Sequence, residues 1–224
     1  MSHSVRSHLR LEIKAYDAAI RRFIPGYEEG LKRAAQEIAA VRPGLVLDLG
    51  AGTGALSEAI LEHDSVEALE AIDIDPEMLA QARARLERFG GRARFLECAF
   101  DEPLPPCDAV AASLALHHVP TMEAKGEIFR RIYRALRPGG VFVNADVTVS
   151  ADPVERDRAY RLWADHMANC GIEERQAWRH FDEWAEEDTY FPMEDELAAM
   201  REAGFQADCI WRRCPNSLLV GRKD

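Results

Sequence analysis

The stretch Leu45-Val46-Leu47-Asp48-Leu49-Gly50-Ala51-Gly52-Thr53-Gly54 decides the fold of this chain. Its apolar first half, interrupted by one carboxylate, is typical of a buried central strand in a parallel sheet. Three glycines within five residues then allow a tight turn and a close approach of the backbone to a ligand. Residues 55–61 resume helical spacing, so the stretch predicts a strand, a ligand-binding turn and a helix whose first N–H groups are unpaired.

Two classes of ligand use such a turn. Gly50, Gly52 and Ala55 satisfy the dinucleotide pattern G-x-G-x-x-G/A, and Asp73 follows at about the separation of a ribose-binding acid. Asp48, however, stands two residues before the first glycine. In a low-dielectric crevice it would repel a pyrophosphate and attract the ammonium and sulfonium of S-adenosylmethionine. The alternative is a structural carboxylate that accepts hydrogen bonds from the N–H groups of the turn.

Four more segments carry a resemblance to a known family. They are Ala71-Ile72-Asp73-Ile74-Asp75-Pro76-Glu77-Met78-Leu79, Cys107-Asp108-Ala109-Val110, Leu116-His117-His118-Val119, and Leu136-Arg137-Pro138-Gly139-Gly140 leading into Val141-Phe142-Val143. With residues 46–54 they resemble the motifs of class I S-adenosylmethionine-dependent methyltransferases, over roughly residues 41–220. The resemblance implies a Rossmann-like α/β fold with a seven-stranded, mostly parallel sheet, helices on both faces and a C-terminal antiparallel hairpin. A dinucleotide-binding domain would instead have a parallel sixth strand.

The resemblance also implies S-adenosylmethionine as cofactor and assigns residues to it. Asp73 would accept both ribose hydroxyls, while Ile74 and Met78 would lie against the adenine. In the family an Asp commonly follows strand three and bonds the adenine amino group, but Ala99 stands here, which leaves that role to Phe100 or a shifted Asp101. The predicted cofactor-binding residues are Tyr27, Asp48, Gly50, Ala51, Gly52, Gly54, Asp73, Ile74, Met78, Ala99, Phe100 and Ser113.

A narrower resemblance involves both ends of the chain. Phe23-Ile24-Pro25-Gly26-Tyr27 and Ala203-Gly204-Phe205, with Trp211 and Asn216, are similar to the carboxy-S-adenosylmethionine synthase group of tRNA modification. There, residues matching Tyr27 and Ser113 contact the methionine end of the cofactor. The group has Asn where this chain has Ser113, and Arg179 is the tentative match for its carboxylate-binding Arg. Three functions stay open: a small-molecule methyltransferase, such a synthase, and a non-catalytic module that binds S-adenosylmethionine or a nucleotide.

Catalysis of methyl transfer needs few special groups, because the sulfonium already activates the methyl carbon. Positioning and desolvation of the nucleophile supply most of the effect. A base is needed only for a weakly acidic hydroxyl or carbon acid, and the predicted catalytic residues are His117, His118 and Asp146. No metal site is expected, since no Cys/His cluster has zinc-ligand spacing.

Composition limits the cellular setting and the partners. A chain of 224 residues with 47% hydrophobic and 30% charged residues suits one soluble α/β domain spanning residues 1–224. The net charge of −11 disfavours DNA and RNA surfaces, so a small-molecule substrate is expected. No run of about 20 apolar residues is present, so no membrane span is expected. Without an apolar leader segment or paired cysteines, a cytoplasmic location is predicted; a homodimer stays open.

Hydrophobic periodicity places the remaining elements. Residues 1–41 are predicted as a helical cover, with helices at 8–23 and 27–41. Residues 150–192, rich in aromatic side chains, are predicted as a lid insertion with helices at 153–169 and 173–187. The other expected helices cover 76–89, 121–136 and 193–203, and the expected strands cover 45–49, 68–74, 93–98, 108–113, 141–147, 207–213 and 216–222.

Overall fold

The computed structural model describes residues 13–99 and 102–224. In chain order the elements are α1 (Ile13–Phe23), α2 (Tyr27–Ala40), β1 (Val46–Leu49), α3 (Ala55–Leu61), β2 (Leu69–Asp73), α4 (Pro76–Leu86), β3 (Ala93–Glu97), β4 (Cys107–Ser113), α5 (Met122–Ala135), β5 (Leu136–Val147), α6 (Pro153–Asn169), α7 (Glu174–Trp184), α8 (Met193–Glu202), β6 (Gln206–Arg213) and β7 (Asn216–Arg222). Short 3₁₀ helices cover Glu87–Arg92 and Leu116–His118.

The strands form one seven-stranded sheet in the order β3-β2-β1-β4-β5-β7-β6. The first five strands in this order pair in parallel, whereas β7 is antiparallel to both β5 and β6. Successive strands are added toward one edge of the sheet from β1 to β3 and toward the other edge from β4 onward, so the strand order changes direction between β1 and β4. The predicted fold class, including the C-terminal antiparallel hairpin, is confirmed.

Both faces of the sheet are buried, which explains the nearly continuous apolar runs of its central strands. On one face, Val46, Ala109 and Val141 pack against the apolar side of α2, including Ile38. On the other face, Leu47, Val110 and Phe142 pack against α5 and α8 through side chains such as Phe129 and Met200. β1 therefore lies at the centre of both cores, and its loop is held rigidly from either side.

A third core joins the beginning of the chain to the segment after β5. Trp163 of α6 is 1% exposed and packs with Phe181 and Trp184 of α7 and with Phe23 of α1. Its indole Nε1 donates a hydrogen bond to the backbone oxygen of Phe23 at 2.6 Å. This aromatic core lies beyond β5, because Val147 at the end of that strand is part of it.

Within the described residues, element boundaries differ from the prediction by more than one residue at three places. β5 begins at Leu136 rather than at residue 141, because Leu136 pairs with Cys107 across an irregularity in the ladder. α4 ends at Leu86 and continues as a 3₁₀ turn, and α7 ends at Trp184 rather than at residue 187. The predicted start of the first helix, at residues 8–12, lies outside the described residues.

No helix within residues 13–99 and 102–224 has the length and apolar character needed to cross a bilayer.

Replacement of Trp163 by Ala should lower the free energy of unfolding by about 3–5 kcal/mol, since it opens a cavity at the centre of the aromatic core. Urea denaturation followed by circular dichroism measures this. Trp178 of α7 is the matched control: it is 37% exposed, so Trp178→Ala should cost less than about 1 kcal/mol. Equal losses for both variants would contradict the described packing.

Candidate active site

A cavity of about 340 Å³ lies at the carboxyl ends of the parallel strands. Its wall includes Asp48 from β1, Asp73 from the end of β2 and Ser113 from the end of β4. Open α/β sheets bind their ligands at this edge, where the strand order changes direction. The volume is at the lower end of the roughly 300–1,000 Å³ usual for small-molecule sites.

The glycine turn after β1 forms the floor of this cavity. Gly50 and Gly52 have positive φ angles of 66° and 55°, a conformation that favours glycine. A Cβ on Gly52 would lie 3.4 Å from Met78 Cε, the nearest atom on that side. Gly54, also at positive φ (80°), precedes α3 and does not line the cavity. A Cβ added there would lie 3.1 Å from Ala82 Cβ, so glycine at this position allows α3 and α4 to pack closely.

Asp48 is the most unusual group in the cavity wall. It is 1% exposed, and its Oδ2 accepts a hydrogen bond from Ser57 Oγ at 2.5 Å. Its Oδ1 is buried and has no hydrogen-bond partner among the described residues. Burial raises the pKa of Asp48 to about 7, against the opposing effect of the Ser57 hydrogen bond. The hydrogen-bond donor to Asp48 is thus a side chain of α3 and not the N–H groups of the turn, and one carboxylate oxygen is left for a ligand.

Asp73 connects the second strand to the glycine turn. Its Oδ2 accepts a hydrogen bond from the Gly52 N–H at 2.7 Å, and its Oδ1 accepts one from the Asp75 N–H at 2.9 Å. Burial raises the pKa of Asp73, although these two hydrogen bonds oppose the shift. Asp75 in turn accepts hydrogen bonds from the N–H groups of Glu77 and Met78 and so caps α4. Asp73 thus holds the glycine turn in place, and both acids line the cavity.

The N-terminal helices close one side of the cavity with two tyrosines, Tyr16 of α1 and Tyr27 of α2. Burial raises the pKa of each phenol, so both are neutral hydrogen-bonding groups. Next to Tyr16, Asp17 accepts a hydrogen bond from Thr53 Oγ1 at 2.6 Å and forms an ion pair with Arg85. The first helix is thereby fastened directly to the glycine turn.

A group of histidines and carboxylates adjoins the cavity, and its two histidines belong to the loop after β4. His117 Nδ1 is 2.6 Å from Asp146 Oδ1, and the backbone N–H of His117 donates to Asp146 Oδ2 at 3.1 Å. Burial alone would lower the pKa of His117, but the carboxylates of Asp146 and Asp188 outweigh it and raise that pKa. Burial alone would raise the pKa of Asp146, but His117 outweighs it and the pKa is lowered.

The neighbouring His118 is paired with a carboxylate from the segment after α7. Its Nδ1 is 3.0 Å from Asp188 Oδ1, while the Tyr190 hydroxyl donates to Asp188 Oδ2 at 2.6 Å. A second cavity of about 50 Å³ lies against this group, with walls that include Phe23, Trp163 and Trp184. The residues common to the two cavities are Tyr16, Leu114 and His118, so the cavities adjoin.

The sequence profile of the methyltransferase domain family matches residues 46–140, from β1 into β5. Those residues supply the glycine turn, the Asp48 and Asp73 carboxylates of the cavity wall and the histidine loop. Residues 46–140 are thus similar to a methyltransferase domain.

Three known proteins illustrate what the chain is similar to. An uncharacterized methyltransferase of Geobacillus kaustophilus is 31% identical over 137 residues, which is 60% of this chain and 59% of that protein. The carboxy-S-adenosyl-L-methionine synthase of Pseudomonas putida is 26% identical over 225 aligned residues, or 91% of this chain and 87% of that enzyme. An O-methyltransferase family protein of Burkholderia thailandensis has a similar structure (TM-score 0.71, 20% identity), over 95% of this chain and 59% of that one. This last likeness concerns the fold.

The chain spans about three fifths of the length of the two Geobacillus methyltransferases to which it is similar. The match to the methyltransferase domain family covers residues 46–140, which is less than half of the chain.

Ten of the twelve predicted cofactor-binding residues line the larger cavity. Those that line it are Tyr27, Asp48, Gly50, Ala51, Gly52, Asp73, Ile74, Met78, Ala99 and Ser113. Gly54 does not, and Phe100 lies outside the described residues. Of the three predicted catalytic residues, His118 lines the larger cavity, whereas His117 and Asp146 stand behind it. Their predicted acid–base role stays a prediction.

Several residues of the site were not predicted. Tyr16 belongs to a helical stripe that the sequence marks only as apolar. Asp188 and Tyr190 follow α7 and reach the histidines only through the tertiary fold. Ser57 could have been suspected, since it stands in the first turns of the helix after the glycine motif; Asp17 gives no local signal.

Asp48→Asn should raise the free energy of unfolding of the ligand-free chain at high pH. The folded state holds the Asp48 pKa near 7, against 3.8 unfolded, so wild-type stability is lost as pH rises through that interval. At pH 8 the Asn variant should be more stable by about 1–3 kcal/mol, falling to about zero near pH 4. Urea denaturation at both pH values measures the difference. A variant that is no more stable than wild type at pH 8 would contradict the raised pKa.

Proposed function

We propose that this chain is an S-adenosylmethionine-dependent methyltransferase that acts on a small-molecule acceptor. The observation that supports it most is the buried Oδ1 of Asp48, which lacks a protein hydrogen-bond partner at the wall of the cavity. A buried carboxylate without a partner is unfavourable in an empty site, and a cationic ligand relieves that cost.

The charge of the cavity wall supports the same ligand. Its titratable members with a possible negative charge are Asp48, Asp73, Asp75 and Glu187, and none of the described lining residues is Lys or Arg. A diphosphate would meet like charge there with nothing to offset it, whereas an ammonium and a sulfonium are attracted. The chemistry of the wall thus fits S-adenosylmethionine and disfavours a dinucleotide.

Residues of the wall then divide between the parts of the cofactor. Asp48 would accept a hydrogen bond from its ammonium, with Tyr27 and Ser113 near the methionine end. Asp73 would accept bonds from the ribose hydroxyls, since each of its oxygens already bonded to one N–H has a second acceptor position. Ile74 and Met78 would enclose the adenine, with Ala99 at its edge. The glycine turn allows the ligand to approach the backbone closely.

When bound, S-adenosylmethionine supplies a methyl group already activated for in-line displacement. What this chain adds is position and exclusion of water. The aromatic core of α6 and α7 packs on α1, which is itself fastened to the glycine turn through Asp17 and Thr53. The two helices therefore act as the lid of the site, and His118 lies where the acceptor would meet the methyl group.

The second cavity supports a compact organic acceptor. Its walls carry the rings of Tyr16, Phe23, Trp163, Trp184 and Tyr190, and it adjoins the larger cavity. Such walls favour an apolar or aromatic body whose polar end faces the histidines. A polymer such as RNA would also meet an unfavourable net charge of −11.

One observation favours a second candidate, a carboxy-S-adenosylmethionine synthase. The Pseudomonas putida enzyme of that name matches nearly the whole of this chain, and Tyr27 and Ser113 line the cavity. Against it, Arg179 does not line either cavity, and no other described Lys or Arg does so to hold a ligand carboxylate. Mass spectrometry of the small molecules that copurify with the chain separates the two, because a carboxylated sulfonium is heavier than S-adenosylmethionine.

Isothermal titration calorimetry of S-adenosylmethionine tests the proposal. Affinity should rise by up to about tenfold per pH unit between about pH 5.5 and pH 7, because the cation binds the ionised form of Asp48. Asp48→Asn should weaken binding at least about tenfold at pH 7.5 and remove this dependence. Asp64, an exposed acid, supplies the matched control: Asp64→Asn should bind as wild type does. Unchanged affinity in Asp48→Asn would refute the assignment.

A further inference from the structure

The loop after β4 and the segment after α7 bring two imidazoles and a carboxylate to one point. One ligand atom each from His117, His118 and Asp188 lies within 4.8 Å of the other two. Asp188 Oδ1 is 3.0 Å from His118 Nδ1 and 3.7 Å from His117 Nε2. Ligand atoms around a tetrahedral Zn²⁺ are about 3.3 Å apart when each bond is about 2.0–2.1 Å. The two separations from Asp188 Oδ1 are close to that spacing.

Asp146 fixes which nitrogen of His117 is available. Because His117 Nδ1 is 2.6 Å from the Asp146 carboxylate, the proton of a neutral ring sits on Nδ1, and Nε2 carries the lone pair. That lone pair faces the oxygen of Asp188 at 3.7 Å. A carboxylate behind a histidine whose other nitrogen faces a second acidic ligand is the usual support of a metal-binding imidazole.

The far side of the group is fixed in the same way. The Tyr190 hydroxyl donates to Asp188 Oδ2 at 2.6 Å and so orients Oδ1 toward the histidines. The backbone N–H of Thr189 donates to the His117 carbonyl at 2.8 Å, which holds Asp188 beside the loop. Asp188 and His117 have side chains only 3% and 9% exposed. A buried carboxylate beside two imidazoles, with its own orientation and that of His117 fixed by hydrogen bonds, is preorganised for a cation.

We propose that His117, His118 and Asp188 bind one divalent transition-metal ion, with Asp146 and Tyr190 as the residues that orient its ligands. Imidazole and carboxylate donors together suit Zn²⁺, Fe²⁺ or Co²⁺ and not the all-oxygen sites of Ca²⁺ or Mg²⁺. Three protein ligands leave at least one coordination position for water or another oxygen or nitrogen donor.

If the proposed function holds, the position of this site allows the ion to bind the methyl acceptor. His118 lines both cavities, so the open coordination position faces the place where the acceptor would meet the cofactor. An acceptor with a hydroxyl, phenol or carboxylate oxygen would bind to the ion by that oxygen. The metal site thus narrows the acceptor class to compact molecules with an oxygen donor.

Zn²⁺ titration calorimetry on the metal-free full chain tests the binding site. The chain should carry His3→Ala and His8→Ala, which remove two imidazoles outside the described residues. We expect one Zn²⁺ per chain, and four-coordinate Co²⁺ absorption bands when Co²⁺ replaces it. Asp188→Asn, which keeps the shape of the side chain, and His117→Ala should each weaken Zn²⁺ binding at least about 100-fold; Asp146→Asn should weaken it about 10- to 100-fold.

His63→Ala is the matched control, because it removes a described imidazole that is not part of the group, and it should leave Zn²⁺ affinity unchanged. Circular dichroism checks the fold of every variant; if His117→Ala does not fold, the two isosteric Asn variants decide. Absence of stoichiometric Zn²⁺ binding, equal affinity in Asp188→Asn, or an equal loss in His63→Ala would overturn the inference.

The same samples separate this inference from the proposed methyltransferase activity. S-Adenosylmethionine is titrated in the presence of a chelator, and Zn²⁺ is titrated without the cofactor. A chain that binds the cofactor but not Zn²⁺ overturns only the metal site. A chain that binds Zn²⁺ through Asp188 but not the cofactor overturns only the proposed function.

Discussion

The site depends on one buried carboxylate, that of Asp48, whose loss of hydration is only partly offset by hydrogen bonds within the protein. Asp48 lies one residue before the end of β1, which is buried on both faces, and the Ser57 hydroxyl bonds only one of its oxygens. In water such a group would be ionised well below neutral pH, but burial raises its pKa to about 7. A ligand that brings positive charge to this point gains both the attraction and the relief of that cost. The glycine turn beside it leaves space for such a ligand to come close.

The rest of the site serves to hold this point in position and to cover it. Asp73 fastens the glycine turn to β2 through the Gly52 N–H, and Asp17 with Thr53 fastens α1 to the same turn. The aromatic core around Trp163 then joins α1 to α6 and α7. The aromatic helices, α1 and the glycine turn are therefore linked by direct contacts. Through these contacts an aromatic segment far along the sequence reaches the wall of the second cavity.

The parts that the sequence predicts well are those with local physical causes. Strands such as β1 and β4 follow from continuous apolar runs, and the hairpin of β6 and β7 follows from alternation around Cys214-Pro215. Much of the wall of the larger cavity also follows, since Asp48, Asp73 and two of the glycines stand close to strand ends. Its acidic members needed no tertiary information.

The parts that the sequence predicts poorly depend on distant contacts. Asp188 stands in a short irregular segment, and nothing local shows that Thr189 bonds to the carbonyl of His117. The prediction of no metal site used spacing along the chain, a criterion that does not consider ligands from distant segments, and it stays a prediction. Gly54 was predicted with the ligand-binding glycines; it does not line the larger cavity, and an added Cβ there would meet Ala82. The early start of β5 similarly depends on the partner strand that carries Cys107.

The most direct measurement of the central claim is a crystal structure of the chain with S-adenosylhomocysteine. The account predicts that the amino nitrogen lies about 3 Å from Asp48 Oδ1, with the ribose hydroxyls at Asp73 and the sulfur directed toward His118. An amino group bound elsewhere, with Asp48 Oδ1 still without a partner, or a diphosphate nucleotide bound at the glycine turn instead, would contradict it.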